Sequence, residues 1–174
     1  MESLSVKGVA QLLEDMKAAG VVRDYALFGA VAQMRYTEPM ATLDADVLIL
    51  SAEHSGMDVL SPLYGYCRER GYVPEGEAIR VGNWPVQFIP VFSPLTDEAV
   101  RTADTEEIEG VPVRVVRAEH LAVIALSVGR TKDYIRILAL LEAGAVRGEG
   151  LQELAMRHHL SAEWSAFKRR FLDD

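Results

Sequence analysis

The chain has 174 residues, 18 of them Lys or Arg and 26 Asp or Glu, so its formal net charge is −8, and 49% of it is apolar. A chain of this length buries roughly 70% of its unfolded surface and folds without a covalent staple. The apolar fraction excludes disorder, and the acidic balance argues against a duplex-DNA partner while leaving room for a small basic pocket. One cysteine, Cys67, permits no intramolecular disulfide and reads as a small buried side chain in a reducing cytosol. The start Met1-Glu2-Ser3 is not basic like a signal peptide. The longest apolar stretch, 121–129, is about half of the ~20 residues of a membrane span. A cytoplasmic protein with no membrane partner is expected.

Residues 5–19 place Val6, Val9, Leu12, Leu13 and Met16 at helical spacing, with Gly20 as the stop. Residues 25–28 read as a strand ending at Gly29, and residues 30–36 as a helix starting directly on that glycine. The apolar run 46–50 has the length and composition of a central strand. Residues 57–70 predict a helix stopped by Gly71, followed by strands over 78–81 and 86–92 around a Gly82-Asn83 turn. A helix over 95–102 opens on Ser93-Pro94, and 106–116 reads as a hairpin turning at Glu109-Gly110. The rest is helical: 118–128, 132–143, 151–158 and 162–172, with Gly148-Glu149-Gly150 as a flexible joint. Strands first and helices last predict an α+β fold, divided into a sheet domain over 1–116 and a C-terminal helical region over 117–174 packed on it.

The chemistry concentrates between Phe28 and Leu50. A strand ends in glycine, a helix begins, and Asp44-Ala45-Asp46 leads into the apolar strand. Residues two apart on a strand share a face, so Asp44 and Asp46 present adjacent carboxylates that repel unless they share a cation. Hard oxygen donors of this kind suit Mg²⁺ or Mn²⁺, with substrate phosphates completing the shell. The backbone amides at Gly29 and Ala30 form a reasonable phosphate seat. As a bare Asp-x-Asp the motif is weak, and a solvated acidic pair is its simplest explanation. Because the pair precedes its hydrophobic strand, the order argues against a dehalogenase-like phosphatase with an aspartyl nucleophile.

The segment Phe28-Gly29-Ala30-Val31-Ala32, Arg35, Thr42-Leu43-Asp44-Ala45-Asp46-Val47, and the later stretch 113–133 with Ala118-Glu119-His120-Leu121 and Arg130-Thr131-Lys132-Asp133, resemble the DNA polymerase beta-like nucleotidyltransferase superfamily. Within it, they look most like the small bacterial nucleotidyltransferase-like proteins related to the abortive-infection type toxins. The resemblance covers residues 20–142. It implies a mixed sheet flanked by helices with a C-terminal helical part. It also implies metal-binding Asp44 and Asp46 that hold Mg²⁺ with an NTP, and Arg130 and Lys132 on the triphosphate. The activity implied is transfer of an NMP to a hydroxyl acceptor on a protein, an RNA end or a small molecule.

Three positions depart from the pattern. Ala30 stands where relatives often have Ser or Gly, and Ala125 where they often have Lys. The third acid is expected on strand 86–92, and the best-placed residue there is Gln87, an amide that accepts hydrogen bonds but cannot act as a general base. The sequence therefore carries two further readings. One is a catalytically inactive scaffold with a protein partner, as in a toxin–antitoxin pair, and the other is a regulatory nucleotide-binding protein. Glu38, Glu53 and Glu77 are alternative sources of the third carboxylate. Arg80 and His120 read first as a solvated strand charge and a hydrogen-bonded histidine at a helix start, and His158-His159 cannot chelate one metal from a helix. The basic end 167–171 reads as a solvated helix face.

Overall fold

The computed structural model describes residues 6–37, 44–51 and 60–173. Helix α1 (Lys7–Ala18) buries the predicted stripe of Val9, Leu12, Leu13 and Met16 and ends before Gly20, whose φ of +73° suits only glycine without strain. The chain then runs through β1 (Val22–Phe28), α2 (Gly29–Gln33), β2 (Ala45–Ser51), α3 (Ser61–Glu69), β3 (Val73–Glu75), β4 (Ala78–Val81) and β5 (Trp84–Pro90). Helix α4 (Pro94–Arg101), β6 (Asp104–Ile108) and β7 (Val111–Val115) complete the sheet portion, and α5 (Ala118–Val128), α6 (Thr131–Glu142), α7 (Gly148–Arg157) and α8 (Ser161–Phe167) follow it. The sheet order is β3-β4-β5-β2-β1-β7-β6, so the Asp-x-Asp strand sits at the centre. Strand β2 runs antiparallel to β1 and parallel to β5. Both of its faces are covered, since Ala45, Val47, Leu48 and Ile49 are all buried. The architecture is the expected α+β fold, a mixed sheet flanked by helices with a helical C-terminal part. Buried residues of α5, α6, α7 and α8 join the sheet residues in one continuous core.

The local differences have physical reasons. Helix α2 is shorter than the predicted 30–36, because the chain tightens after Gln33 into turns, with Arg35 N–H donating to Ala32 O and Tyr36 N–H to Gln33 O. Strand β3 escapes a pattern-based reading because all three of its residues are exposed, as an edge strand with a central proline allows. Helix α3 covers the later part of the predicted 57–70, and 57–59 lie outside the described residues. Gly148-Glu149-Gly150 is the first turn of α7 and not a flexible joint. Gly148 there lies against Trp164, where an added Cβ would meet the ring at 3.9 Å. The predicted 162–172 helix divides into α8 and a π-helical turn over Lys168–Leu172, which sets Phe171 against Tyr134 with ring centroids 5.3 Å apart.

Candidate active site

Gly29 joins β1 to α2 with φ of +65°, a left-handed conformation that a side chain would strain. Space dictates glycine as well, because a Cβ at residue 29 would lie 2.6 Å from Asp46 Oδ2. Register explains the proximity: Phe28 pairs with Asp46 across β1 and β2, and Asp46 pairs with Gln87 across β2 and β5. Paired residues on neighbouring strands share a face, and Asp44 lies one residue before β2 begins. Gln87 thus occupies the strand position beside Asp46 where sequence resemblance places the third acid.

Other carboxylates gather near Asp44. A cavity of about 290 Å³ is lined by Asp44, Glu75, Glu77, Ala78, Pro85 and Gln87. Glu75 ends β3, and Glu77 lies in the two-residue turn between β3 and β4. Both acids sit on the edge hairpin whose first strand has no apolar alternation, so only Glu77 was a candidate in the sequence. Glu38 and Glu53 lie outside the described residues. Arg80 Nε donates to Glu75 Oε2 at 2.8 Å and holds that carboxyl below its ordinary range. This is the exposed strand charge expected of Arg80.

Electrostatics link the pair to α6. Burial, and then the charge of Asp44, raises the Asp46 carboxyl above its ordinary value, while the cations of Arg136, Lys132 and Arg130 pull it back. Arg130 and Lys132, which the resemblance assigns to the triphosphate, stand one at the N-cap of α6 and the other exposed in its first turn. Arg130 is tied to buried Asp133: its backbone N–H donates to Oδ2 at 3.1 Å and its Nε to the same oxygen at 2.7 Å. Arg136 was not singled out from sequence. Its signal was its position, four residues after Lys132 on the same helix face. Its side chain is 17% exposed, its Nε is buried without a hydrogen-bond partner among the described residues, and its Nη1 lies 3.9 Å from Asp133 Oδ1. Ala30, in the first turn of the five-residue α2, brings no hydroxyl, and so short a helix carries little dipole.

The remaining candidates are structural. His120 Nε2 lies 2.7 Å from Glu98 Oε2, and His158 Nε2 lies 3.2 Å from the same oxygen. Cys67 is buried, with its thiol pushed up to about 11 by that burial. Among the described residues, no three His, Cys, Asp or Glu side chains converge on a point that could hold a metal ion. No described helix is long and apolar enough to cross a membrane.

No family model matches the chain, and no curated protein matches it. Among solved structures, it is similar to an antigenic nucleotidyltransferase-like protein from Paracoccidioides brasiliensis, with a TM-score of 0.58 and 17% identity over 95% of this chain and 94% of that one. It also aligns with the antibiotic-resistance factor ANT(2'')-Ia at a TM-score of 0.49 and 16% identity, covering 93% of this chain and 96% of that one. A third alignment is with the Megavirus polyadenylate synthase, at a TM-score of 0.46 and 14% identity over 80% of this chain and 31% of that one. The likeness to the Paracoccidioides protein shows that the sheet and its helices have a nucleotidyltransferase-like fold.

Proposed function

We propose that this nucleotidyltransferase-fold chain binds Mg-NTP at Asp44 and Asp46 and transfers an NMP to a hydroxyl acceptor. One observation carries the reading: Asp46 on the central strand, with Asp44 just before it, feels the charge of three α6 cations, an arrangement suited to a metal and a phosphate chain. The donor set fits a hard cation in part. Asp44 and Asp46 supply two carboxylates, Gln87 stands beside them as a neutral amide, and substrate phosphates and water would complete the shell. Mg²⁺ held there supplies charge neutralisation at the reacting phosphate.

The chain's own residues do the rest. Glycine at position 29 keeps the backbone clear of Asp46, and in this reading the amides of Gly29 and Ala30 face the phosphates. The charge for the triphosphate comes from Arg130 and Lys132, since the short α2 dipole cannot supply it. In the transfer, the acceptor oxygen forms a bond to the α-phosphorus as the bond to the departing pyrophosphate breaks. The acceptor's proton passes to a carboxylate on the cavity wall. Glu77 is the residue we assign to it, because it lines the same cavity as Asp44 and is not one of the paired aspartates.

Isothermal titration with ATP, GTP, CTP and UTP in Mg²⁺ tests the reading. Binding is expected for at least one nucleotide and is expected to vanish in the Asp44→Ala, Asp46→Ala double variant. No binding by the intact chain, or binding indifferent to the double substitution, rejects the site. The inactive-scaffold reading is favoured by Gln87 and Ala30, and labelled-NTP turnover by the wild type would eliminate it.

A further inference from the structure

Arg136 presents a problem of charge that its folded surroundings leave unsolved. A guanidinium is permanently charged, and withdrawing it from water costs several kcal/mol unless hydrogen bonds replace the lost solvent. Here 17% of the side chain is exposed, Nε is buried without a hydrogen-bond partner among the described residues, and the ion pair to Asp133 is long at 3.9 Å. Asp133 has little capacity left, because its two oxygens already accept from Arg130 N–H, Nε and Nη2. Nor is Arg136 free to swing out of the protein with its helix. Its backbone carbonyl accepts from the Nε2 of buried Gln33 at 3.4 Å, which ties this turn of α6 to α2, the helix that begins beside Asp46.

The arrangement holds a partly desolvated cation on a turn tied to α2, the helix that begins beside Asp46, with fork-shaped donor capacity to spare. An anion with several closely spaced oxygens would satisfy it, because guanidinium geometry matches phosphate bidentately. We propose that Arg136 is a phosphate-chain ligand of this site, gripping the β- and γ-phosphates of a nucleotide and giving the site its preference for triphosphates. The inference rests on the nucleotide-binding reading above and adds to it a residue, a contact and a specificity. Lys132, one turn earlier and exposed, supplies a point charge from solvent, whereas Arg136 supplies directed hydrogen bonds from inside.

The experiment compares the full-length wild type with Arg136→Gln and Arg136→Lys, measuring dissociation constants for ATP and adenosine in the same Mg²⁺ buffer. The loss of a charge-assisted hydrogen bond predicts ATP binding at least about tenfold weaker in Arg136→Gln, with adenosine unchanged. Arg136→Lys should recover part of the loss, since it keeps the charge and loses the fork. ATP affinity equal to wild type in a folded Arg136→Gln overturns the inference, as does an equal loss for ATP and adenosine, which would mark a purely structural role. If Arg136→Gln does not fold, the lysine variant decides: weaker ATP binding with adenosine unchanged supports the contact, and unchanged ATP binding overturns it. Wild type that binds no nucleotide defeats the nucleotide reading itself, a result distinct from a wild type that binds and a variant that binds equally well.

Discussion

Gly29 and Asp46 fit against one another with no room for a methyl group between them: a Cβ on residue 29 would sit 2.6 Å from Asp46 Oδ2. The contact makes a prediction that separates strain from collision. Gly20 also has a positive φ, +73°, but nothing lies within 4 Å of its absent Cβ. Gly20→Ala should cost about 1 kcal/mol from backbone strain alone, whereas Gly29→Ala should cost roughly 2–3 kcal/mol, because Asp46 must also move. Thermal unfolding should show Gly29→Ala melting several degrees below Gly20→Ala. Equal melting temperatures would contradict the contact.

Glu98 ties α4 to α5 and α7. Arg157 Nη1 donates to its Oε1 at 2.6 Å, and His120 and His158 approach its Oε2. The Arg157 hydrogen bond first, and then those from His120 and His158, holds the Glu98 carboxyl down to about 2 from an ordinary 4.5. A carboxyl whose folded pKa lies below its unfolded one stabilises the fold above the unfolded value and loses that contribution as pH falls through the folded one. Denaturant titrations should therefore show stability declining between about pH 4.5 and 2. Glu98→Gln should be less stable at neutral pH, by about 1–3 kcal/mol, with a shallower acid limb. A variant with an acid limb as steep as the wild type would reject the assignment.

Asp133 is the buried end of a network that closes the start of α6. It accepts from Arg130 three times and faces Arg136, and only 1% of it is exposed. Asp133→Ala removes a cap and leaves Arg136 without its ion pair, so a loss of about 2–4 kcal/mol is expected. Asp133→Asn keeps an acceptor for the Arg130 amide and should lose less. Urea unfolding of both variants tests this order, and an alanine variant no worse than asparagine would show that the cap does not depend on the carboxylate.

The sequence and the structure agree where one physical signal dominates. The stripe of α1, the apolar run of β2 and the Ser93-Pro94 opening of α4 each follow from local chemistry, and Ser93 caps α4 by accepting from the Thr96 amide at 3.1 Å. The Asp-x-Asp motif was legible because it opens the apolar run of β2, with Asp46 in the strand and Asp44 just before it. The position of Gln87 was not, since a one-residue slip in strand register would have turned it away from Asp46, and register depends on pairing between distant segments. Glu75 escaped for the same reason, on an exposed edge hairpin with no pattern to mark it. Arg136 escaped because a charged residue on an amphipathic helix reads as solvated until the neighbouring helix is in place.

Cys67 offers a simple check of the core beneath α3. It is fully buried, and burial pushes its thiol up to about 11, so little thiolate exists near neutral pH. A disulfide reagent such as Ellman's should label the native protein slowly and the denatured protein fast. Rapid native labelling would place the thiol at the surface.

Gln87 is where the proposed activity is most exposed to test. It pairs with Asp46 across β2 and β5, so Gln87→Asp would set a third carboxylate directly beside two others. Without a divalent cation the like charges should cost roughly 0.2–1 kcal/mol, and adding Mg²⁺ should reverse the sign by giving the trio something to bind. Melting temperatures with chelator and with Mg²⁺ read that reversal without any assay of turnover. If Glu77 already takes the acceptor's proton, Glu77→Gln should abolish NMP transfer in the wild-type background, and Gln87→Asp should restore part of it. If both substitutions leave transfer at zero while Mg²⁺ still stabilises Gln87→Asp, the chain holds a metal-competent strand face without chemistry. The scaffold reading, with a protein partner on the helical part, would then be the better account of the fold.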